Sequence, residues 1–187
     1  RRRLFWIQNP ARYLLKWRYL SKLFRLKPVV VFTSLYHADT YPAWAPDGGR
    51  VVIPLGVSRS FTELDPPDEP PPPRALFVSN PMRGLDWLLT LWARYIHPRM
   101  PTAELHVFSG AATYGAYGEA KAKEMEPILE YARQLADRGV VLRPPVSKSV
   151  LADEMRAARV LVYRGDKEET FCFAVAEAQA AGLPAVV

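Results

Sequence analysis

The chain has 187 residues, of which 49% are hydrophobic and 24% are charged, a composition typical of a folded globular protein rather than a disordered one. Its single cysteine, Cys172, excludes an internal disulfide as well as a zinc site or redox pair built from thiols, and it favours a reducing compartment. The net charge of +6 is unevenly distributed, because residues 1–27 carry nine Lys or Arg residues and no acid, which leaves the other 160 residues at −3.

No apolar run approaches the ~18 residues of a membrane-spanning helix, and the first residues lack the three-part pattern of a signal peptide. We expect a cytoplasmic protein, either soluble or attached peripherally to the inner face of the membrane. The sequence begins without methionine and ends on an apolar run at 185–187. We therefore expect a fragment of a longer protein.

The basic segment at 1–27 is predicted to contain one amphipathic helix. Asn9 is a suitable N-cap with Pro10 at the first helical position, and Pro28 ends the helix. The apolar residues at helical spacing are Tyr13, Trp17, Leu20 and Phe24. Three roles stay open for the basic face: a solvated surface, contact with an anionic membrane, and contact with nucleic acid. No motif of a nucleic-acid-binding fold supports the third role, so we expect no nucleic-acid partner.

Two apolar runs in the first third of the chain predict buried parallel strands. The first is Val29–Phe32, which is followed by Thr33 and Ser34 at its carboxyl end, and the second covers 51–53. Residues 65–73 contain six prolines, which predicts an extended connector. We place the domain boundary there: residues 1–63 end a first α/β domain, 64–74 form a linker, and 75–187 form a second α/β domain.

The second domain shows a regular alternation of strand and helix patterns. Strands are predicted at 75–78, 104–108, 140–142 and 160–163, and helices at 85–96, 120–136, 150–158 and 171–181. This rhythm predicts a doubly wound parallel sheet with helices on both faces.

A polar loop at 164–172 joins the last of these strands to the last helix. Its backbone N–H groups and the helix dipole predict an anion site. Glu169 lies in the loop and Glu177 lies about two turns into the helix, roughly 12 Å further along its axis. Carboxylates so far apart cannot form a close acid–base pair. They suit contacts with separate hydroxyl-bearing parts of one long ligand, such as a nucleotide sugar, with a phosphate held between them.

Other loops follow the strands of the second domain at the same edge of the sheet. The loop after the first strand contains Ser79 and Asn80 and places Arg83 at the start of a helix, where arginine suits bidentate phosphate binding. The next loop contains Gly110, and a further one spans 143–146. Several loops of one edge can therefore bind an anionic ligand.

The pair Glu169 and Glu177, together with the residues at 178–186, resembles the signature of family-4-type retaining glycosyltransferases of the GT-B fold. The resemblance covers roughly residues 51–187. Upstream it includes, in order, the segments 54–56 with Phe61, 77–79, 83–89, 101–110 and 157–163. It implies two Rossmann-like domains, of which this chain contains the end of the N-terminal domain and most of the C-terminal donor domain.

The resemblance also implies an activity: transfer of a hexosyl group from a nucleotide diphosphate sugar to a glycan or lipid-linked hydroxyl acceptor, with retention of configuration and without a cofactor or an obligatory metal. The donor would lie between the two domains, with Glu169 at its sugar and Glu177 at its ribose. The backbone of Thr170, Phe171 and Cys172 would hold the diphosphate, and Arg83 would stabilise that leaving group.

This sequence departs from the family pattern after the first strand of the second domain. The family usually has Gly-Arg there, whereas this chain has Ser79 and Asn80 in a shorter loop. A second phosphate-binding cation is therefore absent from its expected place, and Arg164 or Lys167 is a candidate to replace it.

The remaining candidates are weaker. The histidines have no metal-ligand spacing, and we expect no metal site. Ser34 and His37 follow a strand of the first domain, so they are candidates for the acceptor side. Cys172 has no nearby histidine in the sequence, which favours a small packing residue over a nucleophile.

Two functions stay open at the level of sequence. The first is the hexosyltransferase, with the present chain inactive on its own. The second is a non-catalytic Rossmann-like module that binds a nucleotide or lies on a membrane through residues 1–27.

Overall fold

The computed structural model describes residues 3–63, 65 and 67–187. The chain forms two compact units. The first contains the described residues up to Gly56 together with Lys167–Cys172, and the second contains the described residues of Val57–Asp166 together with Phe173–Val187. Each unit is built on its own parallel sheet, which confirms the predicted α/β fold class.

The sheet of the first unit has the order β1-β2-β3, with all strands parallel. Its strands are β1 (Leu4–Trp6), β2 (Val29–Phe32) and β3 (Arg50–Val52). The predicted strand at 29–32 is confirmed, and the strand predicted at 51–53 begins one residue earlier. The core around β2 is formed by Ile7, Ala11, Leu14, Leu23, Val30, Phe32, Tyr41 and Ala45.

The prediction of one helix in the basic segment is wrong. A 3-10 helix covers Ala11–Leu15, and α1 covers Trp17–Leu26. The two are separated because Lys16 has an extended backbone, with ψ at 134°. The break changes which side chains are buried: Leu14 and Leu23 lie in the core, whereas Trp17 is 76% exposed and Phe24 is 52% exposed.

The strand β1 was not predicted at all. It is only three residues long, its side chains are exposed, and it pairs with β2 in parallel. No helix in the described part of the chain combines the length and the apolar character needed to cross a bilayer.

The sheet of the second unit has five parallel strands in the order β6-β5-β4-β7-β8. The strands are β4 (Arg74–Phe77), β5 (Glu104–Val107), β6 (Val140–Leu142), β7 (Val160–Val162) and β8 (Ala185–Val186). The helices of both units after α1 are α2 (Leu35–Asp39, in the first unit), α3 (Arg59–Thr62), α4 (Leu85–Leu91), α5 (Gly115–Gln134), α6 (Lys148–Arg156) and α7 (Phe173–Ala180). A π-helical segment, Trp92–Ile96, continues α4.

This strand order is that of a Rossmann-like sheet. From β4 the chain proceeds through β5 to β6 in one direction and then returns to place β7 and β8 on the other side. The direction therefore reverses between β4 and β7. In open α/β sheets, ligands bind outside the carboxyl ends of the strands at such a reversal.

The division into units differs from the predicted boundary in two places. Residues 57–63 were assigned to the first domain, but Phe61 is fully buried in the core of the second unit with Leu76, Met155 and Leu161. An aromatic side chain buried this completely fixes α3 to α6 and α7. Residues 167–172 were assigned to the second domain, but they pack in the first unit. Two residues of the predicted linker, Leu64 and Pro66, lie outside the described residues.

One face of the second sheet carries a cluster of charges beside α6. His106 is 5% exposed, and its Nε2 lies 2.9 Å from Glu104 Oε2. Arg143 donates to Glu154 over 2.7 Å, and an Arg74 nitrogen lies 3.7 Å from the same carboxylate. Burial lowers the pKa of His106, although the hydrogen bond to Glu104 acts in the opposite direction.

Candidate functional site

Glu177 lies on α7 in the second unit, where it forms an ion pair that the sequence did not predict. Its side chain is only 6% exposed, and Lys148 Nζ donates to both carboxylate oxygens, over 2.6 and 2.8 Å. The same ammonium lies 5.7 Å from the centre of the Phe61 ring. Glu177 is therefore a nearly buried carboxylate that is held from both oxygens by one cation.

Lys148 lies at the N-terminus of a helix, where its positive charge is stabilised by a nearby carboxylate. It is the first residue of α6, and Ser147 caps the helix by accepting a hydrogen bond from the Val150 N–H. A cation at the positive end of a helix dipole is unfavourable. Glu177 compensates for this charge, since α6 and α7 are in contact. The helix was predicted to begin only at residue 150, so Lys148 lay outside its predicted first turn.

A cavity of about 180 Å³ lies beside the ion pair within the second unit. Its apolar walls are formed mainly by Val78, Phe108, Pro145, Val146, Leu151 and Phe173. Its polar side chains are those of Thr113, Lys148 and Glu177. The cavity lies at the carboxyl ends of β4, β5 and β6, since Val78, Phe108 and Pro145 all follow these strands. The cavity thus combines apolar walls with a carboxylate that can accept hydrogen bonds from hydroxyl groups.

Arg83 lies in the loop after β4, as predicted, and its side chain is exposed. The guanidinium donates to the Tyr163 hydroxyl over 3.3 Å. It also acts on Tyr114: burial raises the pKa of Tyr114, and the positive charge of Arg83 lowers it in part. The structure thus brings Arg83, Tyr114 and Tyr163 together at the carboxyl edge of the sheet. Neither tyrosine was predicted.

Ser79 and Asn80 form hydrogen bonds within the loops that follow β4 and β5. Asn80 is 8% exposed, and its Oδ1 accepts a hydrogen bond from the Met82 N–H over 2.9 Å. The Ser79 carbonyl accepts a hydrogen bond from the Ser109 hydroxyl. These bonds shape the loops that follow β4 and β5, so the two residues hold Arg83 in place.

Gly110 begins the next loop in an extended conformation with no neighbouring heavy atom near the place of a Cβ. The loop that contains Ala111 packs closely against Gly118 of α5. A Cβ added to Gly118 would lie 1.9 Å from the Ala111 carbonyl oxygen. Only glycine permits this close approach between α5 and the loop.

Arg164 follows β7 and packs on the start of α4. Its guanidinium lies 5.7 Å from the centre of the Trp87 ring, and its aliphatic carbons surround Gly84, which has a positive φ of 88°. Arg83 is the residue that precedes Gly84. The structure therefore places Arg164 beside the loop of Arg83, which is compatible with its predicted role as the second cation.

The segment 167–172 is anchored within the first unit. The Thr170 carbonyl accepts hydrogen bonds from Ser34 Oγ over 2.8 Å and from Thr33 Oγ1 over 3.1 Å. The Thr170 hydroxyl donates to the Gln8 carbonyl over 2.8 Å, and the Tyr36 hydroxyl donates to the Lys167 carbonyl over 2.6 Å. Glu169 is half-buried in this segment.

The predicted start of the last helix is two residues early. The helix α7 begins at Phe173, so Phe171 and Cys172 precede it. The contact of the Thr170, Phe171 and Cys172 backbone with a diphosphate, which the resemblance implies, stays a prediction.

Ser34 and His37 form hydrogen bonds with other residues of the first unit. Ser34 caps α2 by accepting a hydrogen bond from the His37 N–H over 3.0 Å. His37 is fully buried, and its Nε2 donates to the Asn9 carbonyl over 2.8 Å while Nδ1 lies 3.3 Å from the Thr33 N–H. Burial lowers the pKa of His37, although the hydrogen bond to the Asn9 carbonyl acts in the opposite direction. These bonds give His37 a structural role, and its ring also lines the cavity described next, so its contact with an acceptor stays a prediction.

A second cavity, of about 300 Å³, lies within the first unit beside these residues. Arg12, Tyr36, Thr40 and Lys167 contribute side chains or backbone to its lining. Among the described residues, no group of three or more His, Cys, Asp and Glu side chains is arranged to hold a metal ion.

The chain matches the model of a known protein family. The model of the family described as glycosyl transferases group 1 matches residues 72–187, which is more than half of the chain. No curated protein sequence matches.

Comparison with solved structures gives matches over nearly the whole chain. Sucrose-phosphate synthase from Thermosynechococcus elongatus matches with a TM-score of 0.69 and 20% identity, over 97% of this chain and 49% of that chain. TarM from S. aureus, in a structure with UDP, matches with a TM-score of 0.69 and 12% identity, over 98% of this chain and 36% of that chain. HepE from Anabaena, in complex with UDP and glucose, matches with a TM-score of 0.67 and 13% identity, over 100% of this chain and 53% of that chain.

These identities are low, so the structures show the fold alone. They are GT-B proteins with Rossmann-like sheets, which confirms the predicted fold. The chain spans about half of the length of the synthase and of HepE and about a third of TarM.

Proposed function

Because the chain belongs to the glycosyl transferases of group 1, we propose that the full-length protein transfers a hexosyl group from a nucleotide diphosphate sugar to a hydroxyl of a glycan or lipid-linked acceptor, with retention of configuration. The observation that carries this proposal is the nearly buried carboxylate of Glu177 at the 180 Å³ cavity. It offers hydrogen-bond acceptors beside apolar walls, and a ribose with its base presents the matching groups.

The donor is assigned to the carboxyl edge of the second sheet. Glu177 accepts hydrogen bonds from the ribose hydroxyls, and the base lies against the apolar walls of the cavity. Arg83, beside Tyr163, stabilises the charge that develops on the leaving diphosphate. Glu169 contacts the donor sugar. UDP in the structures of TarM and HepE supports a nucleoside diphosphate as the ligand class.

The acceptor is assigned to the first unit. The 300 Å³ cavity, which is lined in part by Tyr36 and Lys167, is large enough for part of a sugar or of a lipid headgroup. The cavity adjoins Thr170, which is next in sequence to Glu169.

Transfer with retention is tested by NMR, which distinguishes the anomeric configuration of the product from that of the donor.

Peripheral membrane attachment forms part of the proposal. Trp17 and Phe24 are exposed on α1, and the segment 1–27 contains nine cations and no acid. Aromatic side chains together with cations suit an anionic bilayer surface. Sedimentation of the protein with anionic but not with zwitterionic vesicles supports this attachment, and equal sedimentation with both contradicts it.

Calorimetric titration of the full-length protein with UDP, GDP and ADP tests the donor assignment. We expect one of these nucleotides to bind, and Glu177→Ala to weaken its binding by about tenfold or more, since a hydrogen bond to a charged group contributes about 1.5–3 kcal/mol. Glu124→Gln is the control, because Glu124 is exposed on α5 and pairs only with Lys121 among the described residues. Unchanged affinity in Glu177→Ala contradicts the assignment of the ribose.

Turnover of a labelled donor separates the enzyme from the alternative of a non-catalytic binding module. Release of nucleotide that depends on an acceptor supports the transferase. Binding without turnover of any common donor supports the module.

A further inference from the structure

The pairing of Lys148 with Glu177 places a cation inside the proposed nucleotide site. The ammonium contacts both oxygens of the carboxylate, and both residues line the same cavity. Glu177 is therefore already hydrogen-bonded to Lys148 in the absence of a ligand. A ribose that uses Glu177 must share it with Lys148 or displace it.

The two side chains differ strongly in exposure. The Lys148 side chain is 58% exposed, whereas that of Glu177 is 6% exposed. The ammonium therefore forms the outer part of the pair. A ligand that reaches the carboxylate also meets the ammonium, so Lys148 cannot be remote from a ligand that Glu177 binds.

The pair retains hydrogen-bonding capacity on both sides. An ammonium has three N–H groups, of which two are directed to Glu177. A carboxylate has about four acceptor positions, of which the ammonium uses two. One donor and two acceptor positions remain. A vicinal diol has two hydroxyl groups that each donate and accept, so it complements the pair without breaking it.

We propose that Lys148 is a nucleotide-binding residue: its remaining N–H contacts an oxygen of the ribose diol while Glu177 accepts from the diol hydroxyls, so that the pair selects nucleotides with an intact 2′,3′-diol. This inference rests on the proposed function, because it assigns the cavity to the nucleotide. Lys148 lies outside the motif that contains Glu169 and Glu177, and the proposal gives it a contact with the ligand and a role in nucleotide specificity.

A purely structural role for Lys148 predicts a different outcome from ligand contact. If the ammonium acted only through Glu177, its removal would have no further effect on the preference for the ribonucleotide in a Glu177→Ala background. If it contacts the diol itself, Lys148→Met lowers this preference in the Glu177→Ala background too. The preference for ribonucleotides over deoxynucleotides, measured for Lys148→Met with and without Glu177→Ala, therefore separates the two roles.

The test is calorimetric titration of the full-length protein with the diphosphate that binds best among UDP, GDP and ADP, and with its 2′-deoxy and 3′-deoxy forms. We expect the wild type to bind the ribonucleotide about tenfold more tightly than at least one deoxy form, which corresponds to one charge-assisted hydrogen bond. We expect Lys148→Met to reduce this preference to about twofold or less. Lys148→Arg keeps the charge and is expected to keep most of the preference.

The exposure of Lys148 means that these variants are expected to fold, and a thermal unfolding curve checks this. A preference for the ribonucleotide that is equal in the wild type and in Lys148→Met overturns the proposal for Lys148. Binding by the wild type without any dependence on the diol overturns it as well. Failure of the wild type to bind all three diphosphates instead contradicts the proposed function, and with it the assignment of the cavity.

Discussion

The Arg83 guanidinium donates a hydrogen bond to the Tyr163 hydroxyl over 3.3 Å and so joins the loop after β4 to the residue that follows β7. These are the two strands between which the chain reverses direction. The arginine is therefore held at the place where an open α/β sheet binds its ligand.

We expect Arg83→Ala to lower the kcat of the full-length protein by about 10²–10³, because a donor directed at charge that develops in the transition state contributes this much. Tyr163→Phe is the matched control. It removes the hydroxyl to which Arg83 donates and keeps the guanidinium, so we expect a loss below about tenfold. Nucleotide release from a labelled donor measures both variants, and equal losses contradict a phosphate role for Arg83.

The close approach of Gly118 to Ala111 gives a prediction about stability. In an exposed helix, replacement of glycine by alanine stabilises by about 1 kcal/mol. Here a Cβ would lie 1.9 Å from the Ala111 carbonyl oxygen, so we expect Gly118→Ala to lower the free energy of unfolding by about 1–3 kcal/mol. Gly110→Ala is the control, because Gly110 is extended and a Cβ there meets no heavy atom. Chemical denaturation distinguishes the two, and a stabilised Gly118→Ala variant contradicts the contact.

The burial of Phe61 predicts that residues 57–63 contribute to the stability of the second unit. Phe61 is fully buried, so we expect Phe61→Ala to cost about 3–5 kcal/mol of the free energy of unfolding. Phe24→Ala is the matched control, because Phe24 is 52% exposed, and we expect it to cost less than about 0.5 kcal/mol. Urea unfolding followed by fluorescence measures both. Similar values for the two variants would place Phe61 outside the core.

Two buried histidines predict a dependence of stability on pH. Burial lowers the pKa of both His37 and His106 in the folded protein. The unfolded state therefore binds the proton more readily, and the free energy of unfolding falls as the pH drops below the unfolded value of about 6.5. Each histidine contributes a slope of at most about 1.4 kcal/mol per pH unit.

We expect His106→Gln to reduce this slope, since it removes one of the two groups. Urea unfolding at pH 5, 6 and 7 measures the slope in the wild type and in the variant. A variant with the same slope as the wild type would show that His106 does not contribute.

Much of the second sheet could be predicted, because short apolar runs identify parallel strands. The strand at 140–142 has the predicted bounds, and those at 104 and 160 begin as predicted. The start of α5 was predicted five residues too late. Gly115 and Gly118 indicate a loop by composition, and only the packing of Gly118 on Ala111 shows why a glycine lies inside this helix.

The positions of two candidate site residues were predicted from the sequence. Arg83 and Glu177 lie at the carboxyl edge as their loop and helix patterns indicated. Lys148 was missed because it lies 29 residues from Glu177 in the sequence and the contact depends on the packing of α6 against α7. The basic segment was predicted wrongly since the extended backbone of Lys16 has no local sequence signal.

The anchoring of Thr170 has a consequence for domain exchange within the family. The chain passes between the two units at 56–57, 166–167 and 172–173, so no single cut separates them. A chimera that takes residues 1–56 from another member must also supply hydroxyls that match the Thr170 carbonyl, as Thr33 and Ser34 do here. The six residues 167–172 therefore have to be inherited together with residues 1–56, although the sequence around them belongs to the second unit.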